Sequence, residues 1–100
     1  MLFCGIHHPG EVLKVAFLEE MGITIQKLAD HLHMTRASLS RVINGRASIS
    51  TELAVKLELA GFSKAKFWLD MQTNYNLWQT MQRVQPPICP LVSDSVQTPL

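Results

Sequence analysis

The segment TIQKLADHLHMTRASLSRVINGR, residues 24–46, decides the fold. Apolar residues recur at helical spacing in two short parts of it, which predicts helices over Thr24–Leu32 and Arg36–Asn44. Thr35 stands where the second helix needs an N-cap, and Gly45 stands where its end favours a residue that tolerates positive φ. Two short helices joined by a tight turn are typical of a helix-turn-helix.

The turn between these helices contains an unusual residue. His33 occupies the position that glycine usually holds in such motifs. A histidine at positive φ is uncommon and costs on the order of 1 kcal/mol. A slightly longer turn is the alternative.

The outer side of the second predicted helix lacks acidic residues. Its side chains are small or donate hydrogen bonds: Arg36, Ala37, Ser38, Ser40 and Arg41. Arginine forks onto guanine, serine bonds a base edge or a phosphate, and alanine contacts the thymine methyl group. Residues 24–46 hold four basic side chains and one acid, whereas residues 1–23 hold one basic side chain and three acids. This local positive charge predicts contact with DNA phosphates. The alternative is an ordinary helix pair whose basic face is solvated.

Composition indicates one small domain that does not cover all of its apolar surface. The chain has 100 residues, of which 47% are hydrophobic and only 17% are charged. This balance predicts that some apolar surface is buried in an oligomer or against a partner. No apolar run is long enough to span a membrane, and the first residues do not have the pattern of a signal peptide. We therefore expect a cytoplasmic protein.

The cysteines and histidines do not form a predicted metal site. Cys4 and Cys89 lie near opposite ends, without the spacing of a metal site or a disulfide scaffold. His7 and His8 are adjacent and converge poorly on one ion, and no fourth ligand accompanies them and Cys4. We expect neither a metal nor a cofactor.

Before residue 24, the sequence predicts an extended lead-in over residues 1–8 and then a helix. Pro9 suits the first turn of that helix, which would end near Gly22. An inward stripe of Leu13, Phe17 and Met21 is expected along it.

Two more helices are predicted after residue 46. Ser50 caps a helix that ends at Gly61, and Ser63 caps a longer helix that ends near residue 82. The longer helix carries one apolar stripe with a tryptophan beside it, and a second chain is expected to cover part of this surface. The predicted dimer residues are Phe67, Trp68, Met71, Tyr75 and Trp78.

The sequence thus predicts an all-α fold, with a five-helix domain over residues 9–82. Residues 83–100 contain four prolines and no helical period, which predicts an extended or disordered tail. No phosphate-binding loop, metalloprotease motif or nucleophile elbow occurs, so we do not expect an enzyme.

Three stretches together resemble the HigA antitoxins, which are small helix-turn-helix proteins of bacterial toxin–antitoxin modules. These are HPGEVL at residues 8–13, QKLADHL leading to RASLSRVINGR at residues 26–46, and FWLDMQTNYNLW at residues 67–78. The resemblance implies a five-helix repressor-type domain that dimerises and binds a palindromic operator at its own promoter. It also implies that the protein neutralises a co-encoded HigB toxin, an mRNA-cleaving protein of the RelE-like group.

The resemblance also assigns roles within the motif. Base reading is implied for Arg36, Ala37, Ser40 and Arg41. Phosphate contacts are implied for Thr35, Ser38, Asn44 and Arg46, and for Gln26 or Lys27 at the start of the preceding helix.

Two other functions fit the same sequence. One is a stand-alone transcriptional regulator of the same fold that has no toxin. The other is a protein-interaction module whose aromatic last helix binds a partner and whose helix-turn-helix does not contact DNA.

Overall fold

The structure is a computed structural model that describes residues 7–92. Within these residues the chain forms five α-helices and no strands. They are α1 (Pro9–Val12), which continues as a π-helical segment (Leu13–Glu19), α2 (Ile25–His31), α3 (Arg36–Ile43), α4 (Thr51–Leu59) and α5 (Ala65–Met81). The predicted all-α, five-helix fold is confirmed.

The first helix begins at a side-chain cap. His8 is extended and its Nδ1 accepts a hydrogen bond from the N–H of Gly10 at 2.9 Å, while Pro9 occupies the first helical position. Glu11 lies in the first turn, where its negative charge complements the helix dipole. The HPGE sequence is therefore a helix start.

The π-helical segment changes which residues of the first helix face the core. Leu13 and Leu18, five residues apart, are both buried, and Phe17 is half-buried. A π-helix bonds i to i+5, so it places these two leucines on one side. The prediction that Met21 faces the core is wrong, because the one extra residue in the π-helical segment rotates Met21 outward and leaves it 57% exposed.

The helix-turn-helix forms where the sequence predicted it. The hydroxyl groups of Thr24 and Thr35 accept hydrogen bonds from the N–H groups of Lys27 and Ser38, so each threonine is an N-cap. His33 has a φ of 59°, so the tight turn is formed with a histidine in the left-handed region.

The last two helices begin in different ways. Ser50 caps α4 by accepting from the N–H of Leu53, as predicted. The prediction that Ser63 caps α5 is wrong, since Ser63 has a φ of 83° within the turn and Lys64 precedes the helix without a side-chain cap. A carboxylate oxygen of Glu58 instead accepts from the N–H of Ala65 at 2.8 Å. The previous helix thus satisfies one of the exposed donors at the start of α5.

The core-facing side of α5 lies beside the predicted stripe. Trp68 is 0% exposed and donates from Nε1 to the carbonyl of Phe62, and Gln72 is buried and accepts from the N–H of Ile49 at 2.8 Å. Phe67 and Trp78 remain 44% and 42% exposed. Trp68 therefore belongs to the core of one chain, and the prediction that it lies in a dimer interface is wrong. It lies about 100° around the helix from the exposed Phe67.

Residues 84–90 form neither helix nor strand, and their side chains are exposed. Residues 1–6 and 93–100 lie outside the described residues, so Cys4 and most of the predicted lead-in are not part of this description. Among residues 7–92, no helix combines the length and apolar character needed to cross a bilayer.

Candidate nucleic-acid interface

The second helix of the motif, α3, has one buried side and one exposed side. Leu39, Val42 and Ile43 are buried in the core, as the sequence predicted. The opposite side presents the predicted base-reading residues, with Ser40 half-buried and the others exposed: Arg36, Ala37, Ser40 and Arg41. The helix is therefore held by one face and leaves the other accessible to a ligand.

The hydroxyl and amide groups around α3 are partly used within the motif. The Thr35 hydroxyl donates to Ser38 Oγ at 2.9 Å, in addition to its capping bond. The Asn44 side chain donates to Ser40 Oγ at 3.2 Å. These bonds hold the polar side chains in place while leaving hydroxyl lone pairs that can accept further hydrogen bonds.

Among residues 7–92, no acid forms an ion pair with a basic side chain of the motif. Within residues 7–92, the Lys and Arg ion pairs are Lys56–Glu52 and Lys66–Asp70, and both lie outside residues 24–46. Asp30 is the acid of that segment, and it accepts from the Gln26 amide at 2.8 Å. Of the two residues predicted to contact phosphate from α2, Gln26 is thus engaged within its own helix, whereas Lys27 is exposed without an acidic partner in the described chain.

The loop after α3 folds back onto the end of the helix. The carbonyl of Arg41 accepts from the N–H groups of Arg46 and Ala47, at 2.8 Å and 3.2 Å. The Arg41 guanidinium approaches the Arg46 carbonyl at 3.4 Å. Gly45, with a φ of 76°, allows this reversal. The exposed Arg46 is therefore carried beside α3, at the same edge as Asn44.

Two residues near the beginning of the chain hold α3 in place. The helical periodicity of the sequence did not reveal them. A Cβ atom added to Gly10 would overlap the carbonyl oxygen of Val42 and lie 2.7 Å from its carbonyl carbon, so α1 and α3 touch through their backbones. His8 is buried, and its ring packs edge-on against Tyr75 with centroids 4.9 Å apart. Burial lowers the pKa of His8, although a hydrogen bond to the Ala47 backbone and the charge of Glu11 oppose the shift. The His-Pro-Gly sequence at residues 8–10 was the feature that could have indicated these contacts.

The candidate metal ligands do not assemble into a site in the described part of the chain. No group of three or more His, Cys, Asp or Glu side chains there could hold an ion. His8 caps α1, and His7 contacts a Glu11 carboxylate oxygen at 3.0 Å.

The folded motif defines the class of this molecule as a helix-turn-helix DNA-binding protein. A family model described as helix-turn-helix matches residues 16–60. The chain is 43% identical to virulence-associated protein A of Dichelobacter nodosus, over 93% of this chain and 88% of that protein. It is 42% identical to antitoxin HigA-1 of Vibrio cholerae, over 76% of this chain and 71% of that protein.

Solved structures extend the similarity to the whole arrangement of helices. The antitoxin GraA matches with a TM-score of 0.75 at 29% identity, over 80% of this chain and 86% of that one. The antitoxin HigA of Pseudomonas aeruginosa, solved with the higBA promoter, matches with a TM-score of 0.70 at 26% identity, over 84% of this chain and all of that one. The chain belongs to the HigA-type family of helix-turn-helix antitoxins. The relatives include antitoxins and helix-turn-helix transcriptional regulators, which are not enzyme families, so the protein is not an enzyme.

Proposed function

We propose that this protein is a sequence-specific repressor that binds an operator at its own promoter in the bacterial cytoplasm and neutralises a co-encoded HigB-type, mRNA-cleaving toxin. The observation that carries the DNA-binding part is the exposed side of α3, which holds Arg36 and Arg41 without an acidic partner in the part of the chain that the structure describes. The antitoxin HigA of Pseudomonas aeruginosa was solved with promoter DNA, and this similarity supports the proposal.

The proposed mechanism divides the basic residues by role. Arg36 and Arg41 lie on α3 and read base edges in the major groove together with Ala37 and Ser40. Phosphate contacts come from Lys27 in α2 and from residues at the start of α3 and just after its end: Thr35, Ser38, Asn44 and Arg46. The phosphate contacts supply salt-dependent affinity, and the base contacts supply sequence preference.

Dimerisation is part of the proposal because one α3 covers only a short stretch of DNA. Two copies related by two-fold symmetry bind half-sites about 34 Å apart, one turn of the double helix. The exposed residues of the predicted α5 stripe, Phe67 and Trp78, with half-buried Met71 and Tyr75 beside them, form the proposed dimer surface.

Mobility shifts on a library of promoter variants test the DNA-binding proposal. We expect Arg36→Ala to lose discrimination at one base position, by about 1–3 kcal/mol. We expect Arg46→Ala to weaken binding to all sequences alike and to reduce the salt dependence by about one phosphate contact. Equal losses on every sequence for both variants would remove the base-reading role from α3.

Co-expression with the neighbouring gene tests the antitoxin proposal. The neighbouring gene alone is expected to arrest growth, and this chain is expected to restore growth and to co-purify with its product. Arg36→Ala, which disturbs DNA reading only, should restore growth as well as the unaltered chain does. Absence of a growth-arresting neighbour would favour a stand-alone regulator.

A further inference from the structure

His8 lies where three separate parts of the chain meet. Its Nδ1 accepts from the N–H of Gly10 in α1, and its ring lies close to the backbone of Ala47 in the loop after α3. The ring also packs edge-on against Tyr75 of α5, at an interplanar angle of 77°. One side chain therefore joins α1, α5 and the loop that follows the DNA-facing helix.

The loop that His8 touches is the one that carries Arg46. A Cβ atom added to Gly45 would lie 3.8 Å from Cγ of His8, and the backbone of Ala47 lies beside the same ring. Arg46 stands between these two contacts and points its exposed side chain away from the core. From the other side, the Arg41 carbonyl holds the N–H groups of Arg46 and Ala47. The backbone at Arg46 thus lies between α3 and His8, with contacts on both sides.

We propose that His8 is a positioning residue for DNA binding, which holds the loop of residues 45–47 so that Arg46 is presented to a phosphate. The inference rests on the proposed function, because it takes Arg46 as a phosphate contact. A loop already held in its binding conformation loses little conformational entropy when DNA binds. The ring does this as a neutral imidazole, with Nδ1 accepting from Gly10 and the other nitrogen donating to the Ala47 carbonyl.

Two substitutions separate the capping role of His8 from its positioning role. His8→Asn keeps an acceptor where Nδ1 stands, because asparagine is a good N-cap, but its side chain is too short to reach Ala47. His8→Gln keeps an amide nitrogen at the length needed to reach the Ala47 carbonyl and caps α1 poorly. In urea unfolding, His8→Asn should therefore be more stable than His8→Gln. In binding of the promoter duplex, His8→Gln should have the higher affinity.

The coupling with Arg46 is the decisive measurement. We expect His8→Asn to weaken binding of the promoter duplex about tenfold, as Arg46→Ala does, and to lower the salt dependence by about one phosphate contact. The double variant of His8→Asn and Arg46→Ala should bind no more weakly than Arg46→Ala alone. The double variant of His8→Asn and Arg36→Ala should show the sum of its two losses, since Arg36 lies at the far end of α3.

The other possible results distinguish a failure of the proposed phosphate contact from a failure of the positioning role of His8. If Arg46→Ala binds like the unaltered chain, the phosphate contact in the proposed function is wrong. If Arg46→Ala weakens binding while His8→Asn does not, or if their losses add, only the positioning role is overturned. If His8→Asn does not fold, His8→Gln decides: unaltered affinity supports positioning, and an affinity equal to that of Arg46→Ala overturns it.

Discussion

Gly10 is the residue at which α1 and α3 approach each other through backbone atoms. The space that a Cβ would need is taken by the carbonyl group of Val42, which belongs to α3, the helix proposed to face DNA. The Val42 carbonyl lies in the last turn of α3 and accepts from the N–H of Gly45, so it cannot rotate away as a flexible side chain can, and the clash has no local relief. The identity of residue 10 therefore sets the distance between these two helices.

We expect Gly10→Ala to lower the free energy of unfolding by about 3 kcal/mol, the upper part of the range for overpacking. Urea unfolding followed by circular dichroism measures this loss. Gly22→Ala is the matched control, since Gly22 has a φ of 69° and no atom within 4 Å of its side-chain position. Only backbone strain opposes that change, at about 1–2 kcal/mol. Equal costs for the two variants would show that the α1–α3 contact is not close.

At the level of elements, the π-helical segment Leu13–Glu19 is the least ordinary part of the fold. Such segments behave as an α-helix with one extra residue. Leu13, Phe17 and Leu18 are separated by four and five residues, and they share one side only because the turn is widened. Without one residue between them, the same three side chains would stand at i, i+3 and i+4, the spacing of an ordinary α-helical stripe.

Deletion of the exposed Ala16 should therefore be tolerated. We expect the free energy of unfolding to change by no more than about 1 kcal/mol, or about 4–8 °C in Tm. Deletion of Val55, an exposed residue of α4, is the control. In a regular α-helix it rotates every later residue by about 100°, which takes Leu57 away from Leu53 and Ala54 and should cost at least about 2 kcal/mol. Thermal melts compare the two deletions, and similar losses would contradict the one-residue account of the π-helix.

Across the whole molecule, exposed apolar side chains concentrate toward the end of the described chain. Seven large ones follow one another from the second half of α5 onward: Leu77, Trp78, Met81, Val84, Ile88, Leu91 and Val92. Three of them lie on α5, namely Leu77, Trp78 and Met81, and their exposure supports burial of this helix against a second copy.

Sedimentation equilibrium tests this at the level of the assembly. We expect a dimer, and we expect Trp78→Ser to raise its dissociation constant at least about tenfold, because buried aromatic residues dominate interface energies. Leu59→Ser is the control, since Leu59 is 82% exposed on α4, away from the proposed surface. A monomeric unaltered chain, or equal weakening by both variants, would contradict a dimer formed through α5.

The sequence by itself determined the elements whose causes are local. The caps at Thr35 and Ser50 depend on a side chain and an N–H group three residues away, so residue order alone predicts them. The buried face of α3 follows from periodicity over a few residues, whereas the sequence left a longer turn at His33 open and the structure shows the tight one. Most of the candidate DNA-binding face was therefore readable without a structure.

Only the tertiary structure decided how the helices meet. The sequence placed Trp68 beside the stripe of α5 and Ser63 at its cap, but the packing of α4 against α5 puts Trp68 in the core and lets Glu58 serve the start of α5. The contacts of Gly10 with Val42 and of His8 with Ala47 join residues more than thirty positions apart. Such contacts depend on the distance and rotation between packed helices, which periodicity along one helix does not encode.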